Sequence, residues 1–312
     1  MIRIGAVNID ISHPLAFAEY LKTAGRARYA AVYNDGFRGD DEVEAFIRKY
    51  DLEKRCRTLE ELADCVDIAF VHACNWDKHL AYARPFIARK KPVFIDKPIV
   101  GNIRDCREIE KLAADGAVIL GSSSVRYAQE IVNFAVQPES ERGRILNIFG
   151  TSGVDEFNYA IHVVEGIEGM VGAGALSCAF AGCSKVDGKI CETFFVKYAN
   201  GVTATYNTFQ GLWQPFEFVI MTTKGTYQFR VDTKKIYAAL LDRICDYMEK
   251  KNNHLAPVPA LVESVKIMLA GRISREQGGG DCRLADISDD DPGYDGNDFE
   301  RVYAAAAKKI YV

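Results

Sequence analysis

The chain has 312 residues, roughly twice a typical domain, so two domains are expected. Hydrophobic residues make up 48% and charged residues 26%, which excludes a disordered chain. The net charge of −4 does not suggest a nucleic-acid partner, whose binding domain usually shows a clustered basic face.

Residues 2–7 form a short apolar run that reads as a buried strand. Residues 14–24 carry apolar positions at helical spacing, and 28–33 is a second strand. A helix over 40–50 follows, with Val43, Phe46 and Ile47 on one face. Residues 59–63 read as a short helix, 66–71 as a strand, 78–88 as a helix and 92–95 as a strand. A helix over 103–114 and a strand over 117–121 complete this half. Strands alternating with such helices predict a parallel, doubly wound α/β sheet, with ligands in the crevice at the carboxyl ends of the strands.

The pattern then changes. Residues 126–135 read as a helix, 144–150 as a strand and 155–171 as a helix. Strands follow over 175–179, 191–198, 202–209, 216–222 and 225–231, joined by glycine-containing turns. That predicts an open, mostly antiparallel sheet in an α+β domain. Helices over 236–250 and 260–277, an acidic loop over 286–296 and a last helix over 299–310 end the chain. The expected division is a Rossmann-type domain over 1–122 and a substrate-binding, oligomerising domain over 123–312.

The nine cysteines are odd in number, and none form a C-x-x-C pair. With a strand-like start in place of a signal peptide, they point to free thiols in a reducing cytoplasm. No apolar run nears the roughly 20 residues that cross a bilayer. The five histidines show no metal-ligand spacing, so no metal is expected.

Four segments carry side chains suited to chemistry. Val71-His72-Ala73-Cys74-Asn75-Trp76-Asp77-Lys78-His79 follows the third long strand of the first half. Asp96-Lys97-Pro98 ends the next strand and places an ammonium at the crevice, where it can steady a developing alkoxide. Val125-Arg126-Tyr127 opens the second half. Asn158-Tyr159-Ala160-Ile161-His162 puts Asn158 and His162 on one helix face, and an imidazole has the intrinsic pKa for taking a hydroxyl proton.

Over residues 2–285 these segments resemble the Gfo/Idh/MocA family of oxidoreductases. They are similar, in order, to its T-P-N-x-x-H (Asn75 in place, His79 one position later), E-K-P, R-Y and D-x-G-x-H. The resemblance implies a dehydrogenase using NAD or NADP on a secondary alcohol of a sugar, cyclitol or related polyol, in a homodimer or homotetramer. It makes Lys97 and His162 the catalytic pair with Asn158 as helper, and allows a cis Lys97–Pro98 bond. Cofactor contacts are expected at Asn8, Asp10, Ser12, His13, Asn34, Asp35, Arg38, Cys74, Asn75, His79, Asp96, Lys97 and Pro98. Substrate contacts are expected at Lys97, Arg126, Tyr127, Tyr159, His162 and Trp213, with an inter-domain tether as the other reading of Arg126.

The sequence departs from the family at three places. The glycines of G-x-G-x-x-G fall on Asn8, Asp10 and His13, and Asp10 opposes a pyrophosphate unless it turns away. Ser12, His13 and the helix N-terminus still favour an anion. Asn34 stands where a ribose-binding acid is usual, and Asp35 and Arg38 leave NAD and NADP both open. Asn158 replaces an aspartate, while Asp155, two helical turns from His162, is given no role. The glycine-poor turn and Asn158 keep a second expectation alive: a catalytically degenerate nucleotide- or sugar-binding sensor or assembly protein. Phe194, Val196, Tyr198, Val202, Ala204 and Tyr206 alternate along two strands and are expected to form the apolar face buried in a dimer.

Overall fold

The computed structural model describes all residues except 122, 252, 253 and 312. The domain boundary expected after residue 122 therefore lies outside the described residues. The first half runs β1 (Ile2–Val7), α1 (His13–Ala24), β2 (Ala27–Tyr33), α2 (Asp40–Tyr50), β3 (Lys54–Arg55), α3 (Leu59–Cys65), β4 (Ile68–Val71), α4 (His79–Ala88), β5 (Val93–Ile95), α5 (Ile103–Ala114) and β6 (Ile119–Leu120). Its six strands are parallel in the order β3-β2-β1-β4-β5-β6, the doubly wound order of a Rossmann fold. Connections on either side of β1 leave to opposite sides of the sheet, and that reversal opens the crevice above the carboxyl ends of β1 and β4.

Local chemistry sets these elements. Pro14 sits in the first turn of α1, where its missing N–H costs nothing, and Gly25 closes the helix in the left-handed region at φ 67°. Three acids begin α2 and two bases end it, each matching the helix dipole. The Asn102 side chain caps α5 by accepting from the Asp105 N–H. Two-residue β3 is too short to show an alternating pattern and escapes a sequence reading.

A 3-10 turn (Ser124–Tyr127) and α6 (Gln129–Ala135) occupy the stretch expected as one helix; extended backbone at Ala128 separates them. Next come α7 (Glu139–Arg142), β7 (Ile145–Thr151), α8 (Phe157–Val171), β8 (Ala175–Val186), β9 (Lys189–Tyr198), β10 (Thr203–Gln210), β11 (Glu217–Thr222), β12 (Thr226–Arg230), α9 (Ile236–Met248), α10 (Val258–Glu276), β13 (Gly280–Arg283) and α11 (Gly296–Ala306). The seven-stranded sheet runs β12-β11-β7-β10-β9-β8-β13. Its pairs are antiparallel except β7 with β10, so the sheet is mixed.

The alternating apolar face of β9 and β10 is not left open for a second copy. Phe194, Val196, Tyr198, Val202, Ala204 and Tyr206 are buried within this chain. Helix α10 reaches that face through Gly271, where an added Cβ would lie 2.8 Å from the Tyr206 hydroxyl. The sequence shows which side chains share a face, but the cover comes from a helix about 70 residues downstream. On the opposite face, Phe149, Phe195 and Val219 are half-buried, in register with neighbours on β10 and β7.

Candidate active site between the two sheets

Lys97 leaves the end of β5 and crosses to α8. Its Nζ donates to Oδ1 of Asn158 at 2.8 Å and to the Asn158 carbonyl at 3.1 Å. The Lys97–Pro98 bond is cis. Burial pulls the lysine's pKa down, with Asp96 and Asp155 opposing the shift. The ammonium also lies 5.5 Å from the centre of the Tyr159 ring, whose centroid is 6.0 Å from that of His162. His162 is 6% exposed, and its Nδ1 is 2.6 Å from Ser123 Oγ. Burial first, then the charges on Lys97 and His13, hold this imidazole well below the usual histidine range, so it is neutral at pH 7.

Asp155 has a part that sequence spacing did not suggest. Its carboxylate accepts from the Tyr159 N–H at 2.8 Å and from Asn158 Nδ2 at 3.2 Å, which ties down the first turn of α8. Its charge acts on Lys97. Ser123 and Phe216, whose ring is 5.2 Å from His162, were likewise missed. Neither belongs to a motif; the fold alone brings them to the histidine.

Asp96 sits under Lys97 between two imidazoles. His13 Nδ1 is 2.8 Å and His72 Nδ1 2.9 Å from the same carboxylate oxygen, Oδ2. Burial favours the protonated acid, yet the two histidines outweigh it and hold Asp96 well below the usual carboxylate range. An ionised Asp96 only accepts, so both Nδ1 atoms donate. His72 Nε2 then accepts from the Tyr29 hydroxyl at 2.8 Å. His13 stacks on Phe17 at 5.4 Å.

The turn after β1 solves its missing glycine with an asparagine. Asn8 takes the left-handed conformation at φ 63°, which Asn tolerates better than other L-residues. Its Oδ1 accepts the N–H groups of Asp35 and Gly36, joining this turn to the one after β2. Asp10 turns inward, fully buried. Its Oδ2 accepts from the Cys74 N–H at 3.1 Å, while Oδ1 has no partner. Burial raises its pKa to about 6. Ser12 precedes α1 as its N-cap residue.

The turn after β2 is bound up with its own chain. Asn34 accepts from the Ile9 N–H and donates to the Arg38 carbonyl. Asp35 accepts from the hydroxyls of Tyr33 and Tyr82. Arg38 donates to the Asp10 carbonyl, to Glu42 and to the Lys308 carbonyl. After β4, His79 is buried between the Ile99 and Ala73 carbonyls, a structural placement. Asn75 Nδ2 donates to Asn297 and Glu300. Asp10, Cys74 and Glu300 bring ligand atoms within 4.8 Å of one another, but the Lys78 ammonium, 2.9 Å from Glu300, already answers that charge.

Of the expected substrate contacts, Tyr159 joins Lys97 and His162. Arg126 instead forms a buried ion pair with Glu165 at 3.2 Å and donates to the Ala260 carbonyl, tethering α8 to α10. Tyr127 is buried behind it, its hydroxyl bonded to the Ala256 N–H. Trp213 is 64% exposed on the β10–β11 connection.

In the half of the crevice near Lys97 the residues fit the nicotinamide end of a dinucleotide: an ammonium with one N–H left over and a neutral imidazole both lie against Tyr159. The half above β1 and β2 does not fit a pyrophosphate as it stands. Asp10 and Glu300 put carboxyl groups there, and the donors of Asn75 and Lys78 are already taken.

Comparison with known proteins agrees with this architecture. Residues 4–123 match the model of the oxidoreductase family with the NAD-binding Rossmann fold. The myo-inositol dehydrogenase of Lactobacillus casei, solved with NAD(H) and myo-inositol, superposes with a TM-score of 0.78 at 12% identity, covering 91% of this chain and 96% of its own. The apo scyllo-inositol dehydrogenase of the same organism gives 0.76 at 14%, covering 91% and 98%. The UDP-N-acetylglucosamine 3-dehydrogenase of Acidithiobacillus ferrooxidans gives 0.72 at 12%, covering 88% and 97%. At these identities the likeness is one of fold. No curated protein matches the chain in sequence. Among the described residues, no helix is long and apolar enough to cross a membrane. The match to the oxidoreductase family with the NAD-binding Rossmann fold thus covers the first half of the chain, and the likeness of the whole chain to these dehydrogenases is one of fold.

Proposed function

We propose that the protein is an NAD(P)-dependent dehydrogenase acting on a secondary alcohol of a sugar, cyclitol or related polyol. One observation carries this reading: an ammonium from the first sheet and a neutral imidazole from the second half meet around Asn158 and Tyr159. The inositol dehydrogenases of the same fold suggest the substrate class.

Two of the three N–H bonds of Lys97 go to Asn158, leaving one for the substrate oxygen. The low surrounding polarity strengthens that bond as charge develops on the oxygen. His162 takes the hydroxyl proton at Nε2, which requires Nδ1–H to donate to Ser123 Oγ. The dinucleotide, when bound, supplies the hydride acceptor. Asn158 holds Lys97 without adding charge, so it does not favour a protonated imidazole one helical turn away as an aspartate does.

Turnover of inositols and hexoses with NAD⁺ and NADP⁺, followed by absorbance of the reduced cofactor, tests the reading. Activity lost in Lys97→Met and His162→Asn, with the fold kept, supports it. A wild type that turns over none of these substrates with either cofactor sinks it. The second reading, a binding protein without turnover, is favoured by the occupied crevice above β1; ligand binding without turnover in the same assay selects it. We further propose a homodimer through the half-buried row Phe149, Phe195 and Val219. Light scattering that gives a monomer refutes that part alone.

A further inference from the structure

We propose that the C-terminal arm, residues 296–311, is an internal occupant of the adenosine half of the dinucleotide crevice, and that the cofactor binds by displacing it. The inference rests on the dehydrogenase reading above. The arm lies beyond residue 285, where the sequence resemblance ends.

The arm crosses the turns that a Rossmann fold offers to a dinucleotide. It starts at the turn after β4, where Glu300 accepts from Asn75 Nδ2 at 2.8 Å and from Lys78 Nζ at 2.9 Å. A carboxylate thus holds an amide and an ammonium at the carboxyl end of β4, partners equally suited to a phosphate oxygen. The Tyr303 ring then lies 6.0 Å from that of Phe37, in the turn after β2. The Lys308 carbonyl accepts from Arg38 at 2.8 Å. Tyr311 closes the path: its hydroxyl donates to the Ile11 carbonyl in the turn after β1 at 2.8 Å.

The arm thus sets a carboxylate, an aromatic ring and hydrogen-bonding groups against the turns after β4, β2 and β1. Arm and cofactor cannot use the same donors at once. The arm is held by these polar bonds and by ring contacts, Phe299 on Trp76 at 4.8 Å and Tyr311 on Phe46 at 5.5 Å, and it pairs with no strand, so its release opens neither sheet. Apparent cofactor affinity is then the intrinsic affinity scaled by the fraction of molecules with the arm released.

The test uses the full chain. NADH and NADPH are titrated by fluorescence against wild type, Glu300→Gln and Tyr311→Ala. Hydrogen exchange over residues 296–311 is followed in wild type with and without saturating NADH. Both substitutions should tighten binding at least tenfold, and NADH should speed exchange in the arm at least tenfold. Equal affinity in all three proteins, with the arm equally protected when cofactor is bound, overturns the displacement and leaves the dehydrogenase reading standing. No binding by wild type or by either variant overturns both. If the variants fail to fold, the exchange measurement on wild type decides alone.

Discussion

The Nζ atom of Lys97 donates to Oδ1 of Asn158 at 2.8 Å, so a residue just past the carboxyl end of β5 is tied to the helix that carries His162 in the other half of the molecule. In the proposed reaction this bond holds the lysine against the helix of the histidine before any substrate arrives. Preorganisation of that kind lets a buried ammonium act on a developing charge without first reorienting.

Removing either group should cost activity. His162→Ala is expected to lower kcat about 10²- to 10⁴-fold, the usual value of a general base. Because burial and the neighbouring cations hold the imidazole well below its usual range, the wild type should stay active as pH falls through 6.5. Asn158→Asp places a negative charge beside both groups. It should move the acid limb of the kcat/KM profile up by about one pH unit. Steady-state profiles of the two proteins check this, and an unmoved limb would show that His162 is not the titrating base.

Asp96 anchors two imidazoles and is buried, so Asp96→Asn should destabilise the fold by about 3–5 kcal/mol. The folded carboxyl pKa is depressed, so this contribution is present above the unfolded value of about 3.9 and is lost as pH falls through the folded one. Urea unfolding of both proteins should show a gap that persists at pH 6 and narrows below pH 4.

Glu168 on α8 is buried, and burial first, then Glu263, raises its pKa well above the usual carboxyl range. Its folded value exceeds its unfolded value, so stability is fully present below the unfolded pKa of about 4.3 and is lost as pH rises through the folded one. Glu168→Gln removes that loss. Its Tm should exceed that of wild type more at pH 9 than at pH 5, and a constant difference across that range would contradict the assignment.

Gly271 lets α10 touch the second sheet. A methyl group there meets Phe194 Cδ1 at 2.9 Å and Cys178 Sγ at 3.1 Å, besides the Tyr206 hydroxyl. Gly271→Ala should therefore cost about 1–3 kcal/mol despite the better helix propensity of alanine. Denaturant unfolding measures it, and a stabilised variant would mean that the helix shifts freely.

The first sheet was legible because its signals are local. An apolar strand, a helix-spaced stretch and a capping residue lie within about 30 residues of each other, and a right-handed crossover leaves few ways to combine them. The parallel pairing of β7 with β10 was not legible. Those strands are separated by three other elements, and no periodicity records which neighbour a strand chooses. The same limit hid the cover over Phe194 and Tyr206, which α10 provides.

At the site, the sequence by itself determined which groups could do chemistry: Lys97 at a strand end, and His162 one helical turn from Asn158. Motif spacing carries that much because it fixes which side chains share a face. Only the tertiary structure decided what surrounds them. It placed Ser123 on the histidine and Asp96 between His13 and His72, and it laid the arm from Glu300 to Tyr311 over the turns above β1, β2 and β4. The physical reason is range: propensity and periodicity act over a few residues, whereas burial, charge pairing and occupancy of a crevice depend on segments that meet only when the chain has folded.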